Sequence, residues 1–487
     1  MTTSLAALLR EQAATHAEAV ALQAPHRPSL SYAALWQQVQ HLASQLGAIG
    51  VTSTSRVAVV LPNGPEMAVC FLGVAACATC APLNPAYTAA ELRFYLEDIQ
   101  AQAVIIGRDE RSPMRALAAE MHLPVLEISS DPAAPAGLFR IAAPPSQALA
   151  ATDGPAPDFA GEQDIALILH TSGTTARPKI VPLSQANLLA SAGNIARHLA
   201  LTPADRCLNV MPLFHIHGLV GALLASMASG GSVVCAPGFH EASFFDWIAG
   251  HGPTWYTAVP TIHQAVVAQG ERYRQQAPGH QFRFVRSSSS ALPPKTFEAL
   301  RALTGAPVVE AYGMTEAAHQ MTSNPLPPGV CKAGSVGLPA GVEVALMNEA
   351  GQLLAQGMTG EIVIRGPGVT SGYESNREAN AKAFTDGWFR TGDQGRFDEE
   401  GYLYIAGRLK EIVNRGGEKI SPREIDEVLL EHPDVAQAVA FAVPHPSLGE
   451  DLAAAVVLKE GATVDEAGLR SFLFGRLADF KVPSAIV

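Results

Sequence analysis

The fold is decided by the stretch "LILHTSGTTARPKI", Leu167 to Ile180. An apolar run of strand character, "LILH", passes directly into a turn in which Thr171, Ser172, Thr174 and Thr175 surround Gly173, and Lys179 follows Pro178. A buried strand feeding a hydroxyl- and glycine-rich turn is where open α/β sheets collect ligands, at the strand's C-terminal end. The turn's composition and its lysine suit a phosphate, although the G-x-x-x-x-G-K-[ST] spacing of a P-loop is absent. Taken alone, a short Ser/Thr/Gly cluster is equally a polar surface turn.

Outward from that stretch the same grammar repeats. "RVAVVL" (56–61), the helix-length run "PEMAVCFLGVAACATC" opened by Pro65, and "CAPLN" (80–84) read as strand, helix, strand, a parallel α/β signal. Further strands are predicted at "SVVCA" (232–236), "TWYTAVP" (254–260), "FRFVRS" (282–287) and "APVVEAYG" (306–313), with helical segments between them. The Pro- and Ala-rich residues from about 129 to 163 predict a surface excursion. From Val342 the pattern shortens to alternating strands, "VEVALMN", "GEIVIRG" and "GYLYIAG", which predict a small β-rich subdomain. After "GRLKEIVNRGGEKIS" (407–421) a helix, "PREIDEVLLEH", and two strands, "VAQAVAFAV" and "DLAAAVVL", predict a compact α+β unit. The expected fold is therefore α/β: a large N-terminal domain over 1–408, followed by a small α+β C-terminal domain over 409–487.

Composition narrows the function classes. The 487 residues, 48% of them apolar, can bury a large core divided among more than one domain. A net charge of −12 argues against broad nucleic-acid or anionic-membrane binding, so any phosphate site must be local. The six cysteines (70, 77, 80, 207, 235, 331) have neither metal-ligand spacing nor the density of a disulfide framework, as expected for reduced cytoplasmic thiols. The start, "MTTSLAALLREQAATH", lacks a basic n-region and reads as an amphipathic helix, not a signal peptide. Cys207 to Phe239 contains no Asp, Glu, Lys or Arg, but Pro212, two histidines and Gly230-Gly231 interrupt it. It predicts a buried helix, "LVGALLASMA", then a buried strand, and no membrane insertion.

Four more stretches complete a set with the hydroxyl loop: "MPLFHIHG" (211–218), "EAYGMTEAAH" (310–319), "GWFRTGD" (387–393) and "GRLKEIVNRGGEKIS". Each alone has a plain structural alternative. His215 and His217 can be satisfied core histidines, Glu316 a first-turn acid, Asp393 a turn residue, Arg408 a surface cation. The ordered set is more specific. It closely resembles the adenylate-forming superfamily of acyl-CoA synthetases, luciferases and peptide-synthetase adenylation domains, over nearly the whole chain. Within it, "PLNPAYTAAELRFYL", "TWYTAVPTIHQ", "AYGMTEAAHQMTSNPLP" and "NRGGEKISPREID" look most like the oxalate–CoA ligases of plants and fungi.

The resemblance implies ATP, Mg²⁺ and coenzyme A as cofactors and a carboxylic acid as substrate. It implies that Thr171, Ser172, Gly173, Thr174, Thr175 and Lys179 hold the β- and γ-phosphates, that Glu316 binds Mg²⁺ and that Thr315 touches the α-phosphate. The stretch Glu310, Ala311, Tyr312, Gly313 and Met314 then lines the nucleotide, with Tyr312 facing adenine and Ser289, Ser290 and Ala291 opposite. Asp393 and Arg408 meet the ribose, His215 stands between acid and nucleotide, and His217, Ser289 and His319 meet the acid. Lys410 falls at the family's hinge, and Asn414, Gly416 and Gly417 face the CoA channel.

Two departures from the family's pattern stand out. Ile180 and Ala176 replace loop glycines, and because a β-branched residue resists positive φ, a stiffer or displaced loop is expected. The family's adenylation lysine belongs to a segment beyond "DFKVP", and the chain ends at Val487, so the expectation is a C-terminal domain without that lysine; Lys481 matches an earlier position. The function expected is an acid–CoA ligase for a small polar acid, oxalate by preference. Three alternatives remain: a synthetase for a fatty or aryl acid, an amino-acid-activating module, and a nucleotide-binding protein without full catalysis. The second would want an acid near "FHIHG" to meet the substrate amine, and none is there. Oligomeric state is not legible.

Overall fold

The structure, a computed structural model, describes residues 3–108, 112–142, 158–171, 178–416 and 418–487. Seven strands form one sheet in the order Arg140–Ala142, Val125–Ser129, Ala103–Gly107, Arg56–Val60, Thr79–Pro82, Ile165–Thr171 and Lys179–Ser184. Its interior pairings are parallel and both edge pairings antiparallel. The region predicted as a surface excursion thus contributes the edge strand Arg140–Ala142, bonded to Val125–Ser129; residues 143–157 lie outside the described residues. A nine-stranded sheet likewise has a parallel centre, Val308–Met314, Phe284–Ser287, Trp255–Ala258, Arg206–Asn209, Ser232–Cys235 and Val20–Gln23, with antiparallel strands at its margins.

Helix Pro65–Cys77 shows why the two sheets can share a core. Proline pre-sets its first turn, Glu66 is its sole charged residue, and every other side chain is buried. The uncharged stretch after Cys207 is the buried helix the sequence predicts, although its first part, His217–Leu224, is a π-helix, continued by Ala225–Ala228 and then by strand Ser232–Cys235. Among the described residues no helix is long and apolar enough to cross a membrane. A third sheet joins Glu343–Met347, Thr359–Arg365, Trp388–Phe397, Phe384–Thr385 and Leu403–Arg408. Val413–Arg415 then opens a fourth sheet, whose own core of Ile420, Ile425, Leu429, Leu452, Leu469 and Leu473 is separate from the rest. It touches the third sheet through polar contacts: Arg423 Nη1 donates to Ile405 O at 2.9 Å, and Ser421 Oγ donates to Ala406 O.

Candidate active site

The parallel strands of both large sheets end along one seam, and two cavities open there. The first, about 370 Å³, is lined from successive strand ends: Pro82–Asn84, Leu169 and His170, Met211 and Phe214–His217, Val259, Ser289, Gly313–Thr315 and His319. The second, about 300 Å³, is lined by Thr171, Lys179, Glu316, Tyr373, Asp393's neighbours Thr391 and Gly392, Arg408 and Lys410. Met314 borders both, so they adjoin. A larger cavity of about 660 Å³ lies between residues 24–27, 61–66 and Trp247, and no residue marked by the sequence motifs lines it.

The first cavity is backed by a buried cation. Arg286 has 0% exposure. Its Nη2 donates to His319 Nε2 at 3.1 Å and to Gln320 Oε1 at 3.0 Å, and its Nη1 donates to Thr257 Oγ1 at 3.2 Å. None of these partners is a carboxylate, and Nε has no partner. Burial lowers the guanidinium pKa to about 10, which leaves it charged at neutral pH.

An arginine can only donate, so it fixes the direction of every bond around it. His319 Nε2 must accept, which puts the ring proton on Nδ1. Thr257 Oγ1 accepts from Arg286 and passes its own proton to His217 Nε2 at 2.6 Å; His217 Nδ1 then donates to Ser289 Oγ at 3.0 Å, and the Ser289 proton is left for the cavity. His217 and His319 stack at 5.0 Å, and both titrate well below the ordinary histidine range, first through burial and then through the charge on Arg286. The cavity therefore meets neutral donors supported by one fixed positive charge.

The backbone is bent to achieve this. Ser289 has φ 75° and His319 φ 106°, left-handed conformations that cost a non-glycine residue about 1–3 kcal/mol each. Gly313 accommodates the second: a Cβ there would lie 1.9 Å from His319 O. His215, on the same cavity, has its pKa lowered by burial.

Arg408, on the second cavity, is held from behind by residues that do not line it. Arg408 Nε lies 3.1 Å from Asp393 Oδ1, and Tyr312 donates its hydroxyl to Asp393 Oδ2. Burial raises the Asp393 pKa, against the lowering by Tyr312 and Arg408. Tyr312 is buried and engaged through its hydroxyl. Glu316 is 6% exposed and accepts from the Tyr373 hydroxyl at 2.8 Å; Lys179 Nζ sits 4.3 Å above the centre of the same ring. A nearly buried carboxylate whose described hydrogen-bond partner is a neutral hydroxyl suits a hard cation. Among the described residues no group of three or more His, Cys, Asp or Glu could hold a metal, so such a cation would take most of its oxygens from phosphate and water.

Several residues singled out by sequence stand elsewhere. Glu310 is buried beneath the seam; its carboxylate accepts from Gly334 N at 3.0 Å, and burial pushes its pKa up to about 8. Glu310, Ala311, Tyr312, Asp393, Ser290 and Ala291 line neither cavity, although Asp393 bonds the lining Arg408. Nor do Asn414 and Gly416, whose backbone amides bond Glu450 and Leu448 within the small domain. Ser172, Gly173, Thr174, Thr175 and Gly417 lie outside the described residues. The strain expected at Ile180 is absent. It sits inside strand Lys179–Ser184 with no positive φ and packs with Ala58, Val60, Leu83 and Ile168, where a β-branched residue fits. Sequence reasoning also passed over Arg286, Thr257, Gln320 and Tyr373. For Arg286 a signal existed: a charge directly after the apolar Phe284 and Val285 in a short strand, Phe284–Ser287.

Comparison with known proteins gives the family. The AMP-binding enzyme model matches residues 9–374, and the AMP-binding enzyme C-terminal domain model matches 424–487. An oxalate–CoA ligase of Arabidopsis thaliana is 42% identical over 489 aligned positions, covering 99% of this chain and 94% of that protein. A sulfoacetate–CoA ligase of Cupriavidus necator is 39% identical, covering 99% and 93%. The crystal structure of ATP-bound MatB from Rhodopseudomonas palustris matches with a TM-score of 0.90 at 32% identity, covering 100% of this chain and 95% of that one. With the family's two models spread along the chain and full-length relatives on both measures, this protein belongs to the AMP-binding enzyme family and is an AMP-forming acid–CoA ligase that uses ATP and coenzyme A.

Proposed function

We propose that the acid is oxalate. The observation that carries this reading is Arg286, a fully buried cation without an acid partner behind the donors of the first cavity. A small acid activated at one carboxylate still brings a second one into a desolvated site, where it needs donors and a compensating charge. The Ser289 hydroxyl and His319 Nδ1–H supply the donors, with His217 orienting the first; Arg286 supplies the charge. A fatty or aryl acid would want an apolar tunnel there.

In the first step an oxalate oxygen attacks the α-phosphorus of ATP and pyrophosphate leaves. In the second the CoA thiol attacks the activated carbonyl carbon, loses its proton, and AMP departs with the bonding pair. Both steps bring like charges together, so catalysis rests on positioning and electrostatics. Thr171, Lys179 and the adjoining hydroxyl loop hold the β- and γ-phosphates, and Thr315 meets the α-phosphate. Glu316 would hold Mg²⁺, which would neutralise phosphate charge. Asp393 accepts from the ribose hydroxyls with Arg408 beside it, Tyr312 packs along adenine, and His215 separates acid from nucleotide. Lys410 is the pivot that turns the small domain, bringing Asn414, Gly416 and Gly417 to CoA.

The test is thioester formation from ATP, Mg²⁺ and CoA with oxalate, sulfoacetate, malonate, acetate and a fatty acid. Oxalate should exceed acetate in kcat/KM by at least about tenfold, the value of one hydrogen bond to a charged group. Sulfoacetate is the informative rival, because its sulfonate would also satisfy Arg286. Preference for sulfoacetate moves the substrate while keeping the second anion. Equal use of acetate removes the argument from Arg286 altogether.

A further inference from the structure

Lys179 and Glu316 approach one cavity from different elements, yet neither is paired with the other; Tyr373 stands between them. The tyrosine is 8% exposed. Its hydroxyl donates to Glu316 Oε1 at 2.8 Å, and its ring face takes the Lys179 ammonium at 4.3 Å. The backbone repeats the same bridge. Thr370 N donates to Glu316 O at 2.7 Å, and Glu374 N donates to Ile180 O at 3.0 Å. Tyr373 itself is clamped by Asn380, which accepts from Tyr373 N at 2.7 Å and donates to Tyr373 O at 2.8 Å.

We propose that Tyr373 is a positioning residue that keeps the phosphate lysine and the metal-binding carboxylate apart and aimed, so that the site is set for Mg·ATP before it arrives. The inference rests on the reading of Glu316 as the Mg²⁺ carboxylate. Opposite charges across a low-dielectric cavity attract strongly. Without a spacer, the ammonium and the carboxylate would neutralise each other, and Mg²⁺ and phosphate would each have to break that pair. The tyrosine gives each charge its own contact: a π-face for the cation, a hydroxyl for one carboxylate oxygen. Occupying Oε1 leaves Oε2 for a single bond to the metal, as suits Mg²⁺ held mainly by phosphates.

The experiment measures binding of α,β-methylene-ATP to the full chain by calorimetry, with and without Mg²⁺, for the parent, Tyr373→Phe, Tyr373→Leu and Glu316→Ala. Tyr373→Phe keeps the ring and loses the hydroxyl. It should raise the half-saturating Mg²⁺ concentration about 3- to 10-fold and leave Mg²⁺-free affinity within about 2-fold. Tyr373→Leu removes the spacer, so affinity should fall with and without Mg²⁺, and part of the loss should return at high salt, which screens the new ion pair. Equal losses with and without Mg²⁺ in Tyr373→Phe, together with a lowered Tm, would mean a merely structural tyrosine and overturn the proposal. A parent-like Mg²⁺ dependence in Tyr373→Phe, with Glu316→Ala abolishing it, would also overturn it while leaving the metal assignment intact. Undiminished Mg²⁺ dependence in Glu316→Ala sinks the metal reading itself.

Discussion

The two cavities hold charge in opposite ways. In the first, one cation is sealed in with 0% exposure and speaks to the cavity only through histidines and hydroxyls whose protons it directs. At the second, Arg408 is backed by Asp393 and Glu316 accepts from Tyr373, and Lys179, Arg408 and Lys410 keep access to solvent. The physical difference is reorganisation. A buried network with fixed proton directions is preorganised for one small charged ligand, and it rejects a ligand that leaves it unsatisfied. Partly exposed charges can shift as ATP becomes AMP and pyrophosphate.

The sharpest way to break this contrast is Arg286→Met. Removing the buried charge should lower kcat/KM for oxalate about 100-fold, leave acetate turnover nearly unchanged and keep the KM for Mg·ATP within about 2-fold. Parallel losses for oxalate and acetate would show that the arginine only supports the fold. A smaller effect is expected from Ser289→Ala, which withdraws one donor and leaves the charge: the KM for oxalate should rise roughly tenfold, again without a change for ATP. An ATP defect of similar size would place Ser289 with the nucleotide instead.

The smallest effect concerns Glu310, which the sequence assigns to the nucleotide and the structure buries below it. Its folded pKa of about 8 exceeds the unfolded carboxylate value. The unfolded chain therefore gives up the proton first as pH rises, and folded stability falls between about pH 4.5 and 8, then levels off. Glu310→Gln should be no less active than the parent, and its stability advantage should widen as pH rises through that window, read as a growing difference in Tm. A raised KM for ATP would return Glu310 to the nucleotide site.

Much of the large-scale plan was legible because it is written in local patterns. The parallel strands are short apolar runs bounded by Gly and Pro, the uncharged stretch after Cys207 is broken by Pro212 and glycines, and the change to alternating strands at Val342 marks the third sheet. The site's outline was legible too, since Thr171, Lys179, His215, Glu316 and Arg408 stand in ordered motifs at strand ends. Ile180 shows where local reading failed. Counted as part of a loop it looked strained, but pairing of His170 with Ile180 across two strands makes the position extended, and extended backbone favours isoleucine.

Sequence by itself determined the order of strands and helices and the residues available at the strand ends, because each depends on neighbours along the chain. Only the tertiary structure decided which of those residues meet. Arg286 and His319 are 33 residues apart in sequence, Tyr373 and Glu316 57 apart. Their contacts arise from sheet register and from a loop crossing between sheets, and no spacing along the chain encodes that. The direction of each proton around Arg286 is decided at the same level, because it depends on a cation that packing has removed from water.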